Sequence, residues 1–192
     1  KGVTIYRDGC RTGVLVKKED KKADVNRISK TNAPKRPNTL PCDVHHIRAK
    51  GEEYFVLVGL LNDGDPFEVF AGKNGMIGKV VKTGSLTKMA RGKYHAVFDD
   101  GSELKDVVDH ISDEEEAITR LTSMALRHGA DIEYAVHQLE KTRGDMLGFA
   151  KAMARALKKY IKDGTVVKGE ECGECGGKLI RQDGCSKCLN CG

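Results

Sequence analysis

Apolar residues come in short runs over the first half of the chain and switch to a three-to-four-residue period in the second. Val3-Thr4-Ile5-Tyr6 is a β-prone run stopped by Arg7-Asp8-Gly9. Val44–Arg48 and Tyr54–Leu61 flank Lys50-Gly51-Glu52-Glu53, and Asn62-Asp63-Gly64-Asp65-Pro66 turns the chain into Phe67–Phe70. Turn residues between short β-rich runs predict an antiparallel meander. Ile77–Val81 and Tyr94–Phe98 are two further predicted strands, the second closed by Asp99-Asp100-Gly101-Ser102.

Residues 112–163 carry the helical period. Ser112 with Glu115 predicts a capping box, with Ile118, Leu121 and Ala125 sharing a face until Gly129 ends the helix. Asp131 is placed to cap a second helix, with Ile132, Ala135, Val136 and Leu139 inward and Gly144 closing it. Asp145 is placed to cap a third, whose stripe is Met146, Phe149, Met153, Leu157 and Tyr160. These stripes predict core rather than cofactor contacts. The expected fold class is α+β: an antiparallel strand-rich half, a three-helix half and a tethered C-terminal zinc ribbon.

Between these elements lie two connectors. Residues 17–40 alternate lysines and arginines with acids, and Pro34 and Pro37 forbid helix there, so a solvated basic linker is expected. Residues 163–171 are expected to be a short hinge on which the C-terminal segment can swing. The strand at 1–16 needs a partner, and the chain opens on Lys1 without Met, so it is expected to end a larger upstream unit.

Five of the seven cysteines fall in the last 21 residues. Cys172-Gly173-Glu174-Cys175-Gly176 and Cys188-Leu189-Asn190-Cys191-Gly192 are two C-x-x-C-G knuckles, separated by twelve residues. Zn²⁺ takes four tetrahedral thiolates at about 2.3 Å, and two such knuckles supply them without a hydrophobic core. A glycine after each second cysteine lets the backbone turn with positive φ and aim amides at the sulfurs. Cys172, Cys175, Cys188 and Cys191 are therefore the expected metal ligands over residues 172–192, the competing reading being a pair of disulfides. Cys185 is left over: a redox-competent thiol near Lys187 and Arg181, an unreactive one, or a ligand exchanging with Cys188.

Composition narrows the remaining classes. The chain is 39% hydrophobic and 32% charged, as a globular domain should be, and no stretch approaches the length of a membrane helix. It has no Trp and few aromatics, which argues against base stacking, and its net charge of +5 permits nucleic-acid contact without arguing for it. Absence of a signal peptide and of further cysteine pairing predicts a cytoplasmic setting. His45 and His46 are adjacent on a predicted strand and point to opposite faces, so they cannot easily share one metal; Cys42, Asp43 and His46 form a conceivable metal or nucleophile site, with a packed or hydrogen-bonded histidine as the favoured reading. His95, His110, His128 and His137 are scattered. Gly72, Gly75 and Gly78 match no phosphate-binding fingerprint. No complete active site is present.

Lys1-Gly-Val-Thr-Ile-Tyr-Arg-Asp-Gly-Cys-Arg11 resembles the last barrel-strand segment of ribonucleotide reductase large chains, best in the adenosylcobalamin-dependent, class II branch. Arg36-Pro-Asn-Thr-Leu-Pro-Cys-Asp-Val-His-His46, Tyr54–Leu60 and Pro66–Phe70 resemble the C-terminal "TSCPD" domain of those enzymes, and Gly177–Gly192 is similar to their cysteine-rich terminal finger. The resemblance implies residues 1–16 as the end of an upstream catalytic barrel, 17–40 as linker and 41–162 as the TSCPD-like domain. Residues 163–171 and 172–192 are then hinge and ribbon. The naming string Thr-Ser-Cys-Pro-Asp is absent from 144–151, so no cysteine role carries over there. The family finger continues to one more cysteine, whereas this chain stops at Gly192.

The parent activity implied is reduction of ribonucleotides to deoxyribonucleotides by a thiyl radical generated with adenosylcobalamin, in upstream sequence. The part present is expected to supply a zinc-organised thiol arm that re-reduces the active-site disulfide. Cys185 and Cys191 are the candidate exchange thiols, Cys191 doubling as ligand. The implied partners are the upstream barrel, a thioredoxin-like reductant and, through the parent, ribonucleotide substrate. A membrane is not among them, and nucleic acid is not favoured. The alternative is a non-catalytic zinc-ribbon module that binds nucleic acid or a protein.

Overall fold

The computed structural model describes Gly2 and residues 31–192, apart from positions 62, 74, 144, 147, 183 and 184. The strand expected at 3–6 and most of the basic linker expected at 17–40 lie outside the described residues.

Six antiparallel strands make the main sheet: β1 (Thr39–Ala49), β2 (Glu52–Leu60), β3 (Pro66–Lys73), β4 (Thr83–Ala90), β5 (Lys93–Phe98) and β6 (Glu103–Leu104), in spatial order β3-β2-β1-β4-β5-β6. Lys50 and Gly51 both have positive φ, 49° and 83°, which is what a two-residue turn with the right twist for a hairpin requires. This fixes the β1–β2 register, Ala49 opposite Glu52 and Cys42 opposite Gly59.

β2 is buried on both faces. Val56 and Val58 join Val69 and Ala71 of β3 under a layer of helices, while Phe55 and Leu57 join Cys42, Val44, Leu86 and Ala96 on the other side. The helices are α1 (Asp113–Arg127), α2 (Ile132–Glu140) and α3 (Phe149–Leu157), with 3-10 turns at Val108–His110 and Lys158–Tyr160. The chain is thus α+β, with antiparallel sheets and three helices.

Several elements depart from the sequence reading. Ile77–Val81 is not a strand: Ile77 and Val81 are plugs, their side chains buried in the core of the helix-free face. The strand beside β1 is instead Thr83–Ala90, whose polar alternation left no strand signal because one of its faces stays open. The capping box of α1 forms as expected, Ser112 Oγ accepting from Glu115 N while the Glu115 carboxylate accepts from Ser112 N. The buried face of α1 is however Glu115, Thr119, Thr122, Ser123 and Leu126, and Leu121 is exposed. Asp131 caps α2 through Glu133 N. Helix α3 begins after Gly148, not at Asp145, and Met146 is exposed, while Met153 and Leu157 are fully buried as predicted.

A second, three-stranded sheet completes the chain: β7 (Val166–Glu171), β8 (Lys178–Gln182) and β9 (Cys185–Cys188). Most of the stretch read as a hinge is therefore strand β7, which pairs Val166 with Ile180 and Glu171 with Lys178. The consecutive β-branched Val166 and Val167 favour this, and Val167 is buried. Gly164 N and Arg181 N donate to the carbonyls of Arg181 and Thr165, so the small sheet is anchored from Gly164 onward. Only Lys162 and Asp163, both exposed, separate that anchor from the buried Ile161 of the main core. No helix among the described residues is long and apolar enough to cross a membrane.

Candidate metal centre

Two tight turns bring four cysteines together. In the first knuckle Gly176 N donates to the Cys172 carbonyl at 2.8 Å and Cys172 N to the Gly177 carbonyl at 2.9 Å. In the second, Gly192 N donates to the Cys188 carbonyl at 3.3 Å, and Asn190 N to Cys188 Sγ at 3.3 Å. Gly176 and Gly192 take φ of 68° and 101°, the left-handed turn expected after each second cysteine. Strands β8 and β9, paired from Leu179–Cys188 to Gln182–Cys185, carry the second knuckle to the first.

The sulfurs of Cys172, Cys175, Cys188 and Cys191 all lie within 4.8 Å of one another. The spacings 172–191 and 175–188 are 3.5 Å, and 175–191 is 3.6 Å. A disulfide needs about 2.05 Å, whereas the edge of a tetrahedron with Zn–S of 2.3 Å is about 3.8 Å. All six described cysteines are free. The donor set is therefore the one Zn²⁺ selects, and the distances fit it.

The electrostatics agree. The amides of Cys191 and Asn190 pull the Cys188 thiol down to about 6, and those of Glu174 and Cys175 lower Cys172. The sulfurs of Cys172, Cys188 and Cys175 push Cys191 up to about 12. Some of the cluster ionises readily and the rest then cannot, because thiolates this close repel. A divalent cation lets all four ionise together.

Cys185 is exposed and stands outside this cluster. It lies three residues before Cys188 on β9, and an odd separation on a strand puts the two side chains on opposite faces. Arg181, expected beside the spare thiol, is buried and donates Nη1 to Ser186 Oγ at 2.7 Å.

The other candidate constellation does not converge. Cys42 is buried on the helix-free face, and burial pushes its thiol up to about 12, which removes it as a nucleophile. His46 Nε2 donates to the Val81 carbonyl on that face. Asp43 and His45 turn to the helices, where Tyr160 Oη donates to Asp43 Oδ2 at 2.7 Å. With that proton committed, His45 Nε2–H donates to Tyr160 Oη at 2.8 Å. Burial and then Lys159 lower His45 to about 4, so it is neutral in this chain of bonds. Gly72 holds no phosphate: a Cβ there would sit 2.3 Å from the His110 carbonyl oxygen.

Sequence reasoning missed a buried charge cluster. Glu68 on β3 is fully buried and held by Arg36 through Nε and Nη2, and by Arg127 of α1 through Nη2. The guanidinium groups lie over Tyr94 and Phe67, 5.4 and 5.1 Å from the ring centroids. The signal was a lone acid inside the apolar run Phe67–Phe70. Arg36 sits in the stretch read as a linker, where a run of cations masked it.

A six-stranded antiparallel sheet under three helices, followed by a four-cysteine hairpin, defines an α+β protein whose C-terminal cysteine cluster could hold a metal ion. Comparison places its larger part: the family described as "NrdJ homologue C-terminal domain" matches residues 40–162, more than half of the chain. The chain belongs to that family, and so is related to the C-terminal region of the class II ribonucleotide reductases. No curated protein and no solved structure matches it. The matched span holds the main sheet and all three helices, and the four-cysteine hairpin lies beyond it.

Proposed function

We propose that the chain is the C-terminal part of a class II ribonucleotide reductase, and that its cysteine hairpin is the zinc-organised arm that returns reducing equivalents to the active site. The observation that carries this reading is a reductase-family domain followed within ten residues by a four-thiol cluster with a fifth, exposed thiol outside it. The radical chemistry and the adenosylcobalamin site belong to sequence upstream of Lys1. Zinc, held by Cys172, Cys175, Cys188 and Cys191, fixes the fold of a hairpin too small to have a core of its own.

In this scheme the Cys185 thiolate attacks one sulfur of the active-site disulfide, forming a mixed disulfide and releasing one active-site thiolate. The Cys191 thiolate leaves the cluster and attacks Cys185 Sγ. That forms a Cys185–Cys191 disulfide and releases the second active-site thiolate, so two electrons move inward and the two arm protons follow. A thioredoxin dithiol then reduces the arm by the same exchange at the surface. Tethering gives the arm a local concentration of roughly millimolar. Movement of the ribbon would be about Lys162 and Asp163, since the hydrogen bonds that anchor the small sheet begin at Gly164, two residues before β7.

The test is turnover of the full enzyme with residues 164–192 removed. A single turnover from pre-reduced enzyme should survive, repeated turnover with thioredoxin should collapse, and a small dithiol that enters the active site should restore it. Unimpaired thioredoxin-driven cycling would overturn the proposal. The second reading, a ribbon that grips nucleic acid, would show instead as binding that weakens steeply between about 50 and 200 mM salt.

A further inference from the structure

One carboxylate answers two guanidinium groups in the seam between β3 and α1. Glu68 is fully buried, and Arg36 and Arg127 both pair with it. Arg36 is fully engaged, since its Nη1 also donates to the carbonyls of Pro37 and Asn38 and its Nη2 to that of Leu86. Arg127 is not. It gives Nη2 to Glu68, while its Nε is buried and has no hydrogen-bond partner among the described residues. A guanidinium is a planar fork of five N–H donors, and a pair of charges of one sign against one of the other leaves the cluster cationic.

Arg127 lines a cavity of about 260 Å³ that opens beside it. The walls are Val69, Phe70, Tyr94 and Val108, with Met124 at the exposed rim. Most of the other polar groups around it are committed: Arg120 to Glu116, which also lines the cavity, His128 Nδ1 to Thr31, Thr119 to the Glu116 carbonyl, and Ser123 to the backbone of Val69. What is left is a slot with apolar walls, an ion pair at its edge, and one guanidinium, that of Arg127, whose Nε has no partner among the described residues.

We propose that this cavity is a binding site for a small organic anion, an apolar or aromatic body bearing one carboxylate or phosphate. The head group pairs with Arg127 and supplies the negative charge the cluster lacks, and the body covers the slot between the sheet and α1. The size fits a single ring with its head group, and the walls give a bare inorganic ion nothing to pack against. The site owes nothing to the cysteine arm.

The experiment is a titration of the ¹⁵N-labelled full chain with benzoate, phenyl phosphate, benzyl alcohol and inorganic phosphate, followed at the Arg127 Nε–Hε resonance. Benzoate or phenyl phosphate should shift it saturably with Kd below about 1 mM. Benzyl alcohol and inorganic phosphate should each bind at least about tenfold more weakly. A preference for benzoate marks a carboxylate ligand and a preference for phenyl phosphate a phosphorylated one. Arg127→Lys keeps the charge but not the fork and should cost about tenfold in affinity. Met124→Glu, at the exposed rim and harmless to folding, should cost a similar factor by repulsion, and carries the test if the lysine variant does not fold. No saturable shift with either organic anion up to about 10 mM, equal binding of benzyl alcohol, or affinity untouched by Met124→Glu would each overturn the proposal.

Discussion

Gly59 faces Glu68 across the β2–β3 ladder, and a Cβ at Gly59 would come within 2.8 Å of Glu68 Cγ. The glycine makes room for a carboxylate that two arginines then hold. Gly59→Ala should therefore destabilise the domain by about 1–3 kcal/mol through overpacking. In a Glu68→Ala background the same change should cost much less. Denaturant midpoints of the four proteins measure the coupling, and additive losses would show that the two residues do not share the space.

Removing the negative charge alone tests the ion cluster. Glu68→Gln keeps the volume and leaves two guanidinium groups facing each other in the core. A loss of about 3 kcal/mol in urea unfolding is expected, because breaking a buried pair leaves uncompensated charge. A loss below about 0.5 kcal/mol would mean the cluster is hydrated rather than buried.

His45 makes stability depend on pH. Its folded-state value, near 4, lies below the ordinary 6.5, so the unfolded chain takes up a proton where the folded chain does not. Above pH 6.5 both states are neutral and His45 contributes nothing. As pH falls from 6.5 towards 4 the unfolded state is favoured progressively. The full shift corresponds to about 3 kcal/mol, and partial exposure reduces this to about 1–2. His45→Gln should flatten the fall in denaturation midpoint between about pH 7 and pH 4.5, and an unchanged slope would assign the acid sensitivity elsewhere.

Metal removal should separate the two sheets. The chain should bind one Zn²⁺ and release protons on doing so, because the thiols must ionise. Chelation should abolish amide protection in β8 and β9 while the main sheet stays protected. Cys175→Ser should lose the metal and Cys185→Ser should retain it; elemental analysis of the purified variants decides this directly.

Ser123 seals the exposed side of β3. Its Oγ donates to the Val69 carbonyl at 3.1 Å and accepts from Val69 N at 2.9 Å, giving an edge strand the two bonds it would otherwise lack. Ser123→Ala should cost about 1–3 kcal/mol and speed hydrogen exchange at the Val69 amide more than at its neighbours.

The parts legible in the sequence are those where one local rule decides. The α1 capping box and the Asp131 cap of α2 need only residue types at fixed spacing, and both form. The same holds for the two cysteine knuckles with their left-handed glycines. Where tertiary contacts decide, the pattern misleads. Ile77 and Val81 look like a strand because they are apolar, but they are plugs for a core built by others. β4 looks like loop because its exposed face is threonine and serine, although β1 and β5 hold it on both sides. Thr119 and Ser123 replace apolar residues on the buried face of α1 because their hydroxyls answer backbone groups. Glu68 could not be read as buried without knowing that Arg36 and Arg127, 32 and 59 residues away, would meet it.

The odd spacing of Cys185 and Cys188 along β9 acts as insulation. Alkylation of the outward sulfur, or its mixed disulfide with another thiol, can form without drawing Cys188 out of the metal cluster, so the hairpin keeps its shape until Cys191 itself leaves to close the arm disulfide. Insertion of one residue between the two would cancel that parity. Five thiols would then compete for four positions, and every chemical event at the spare one would register as a disturbance of the metal.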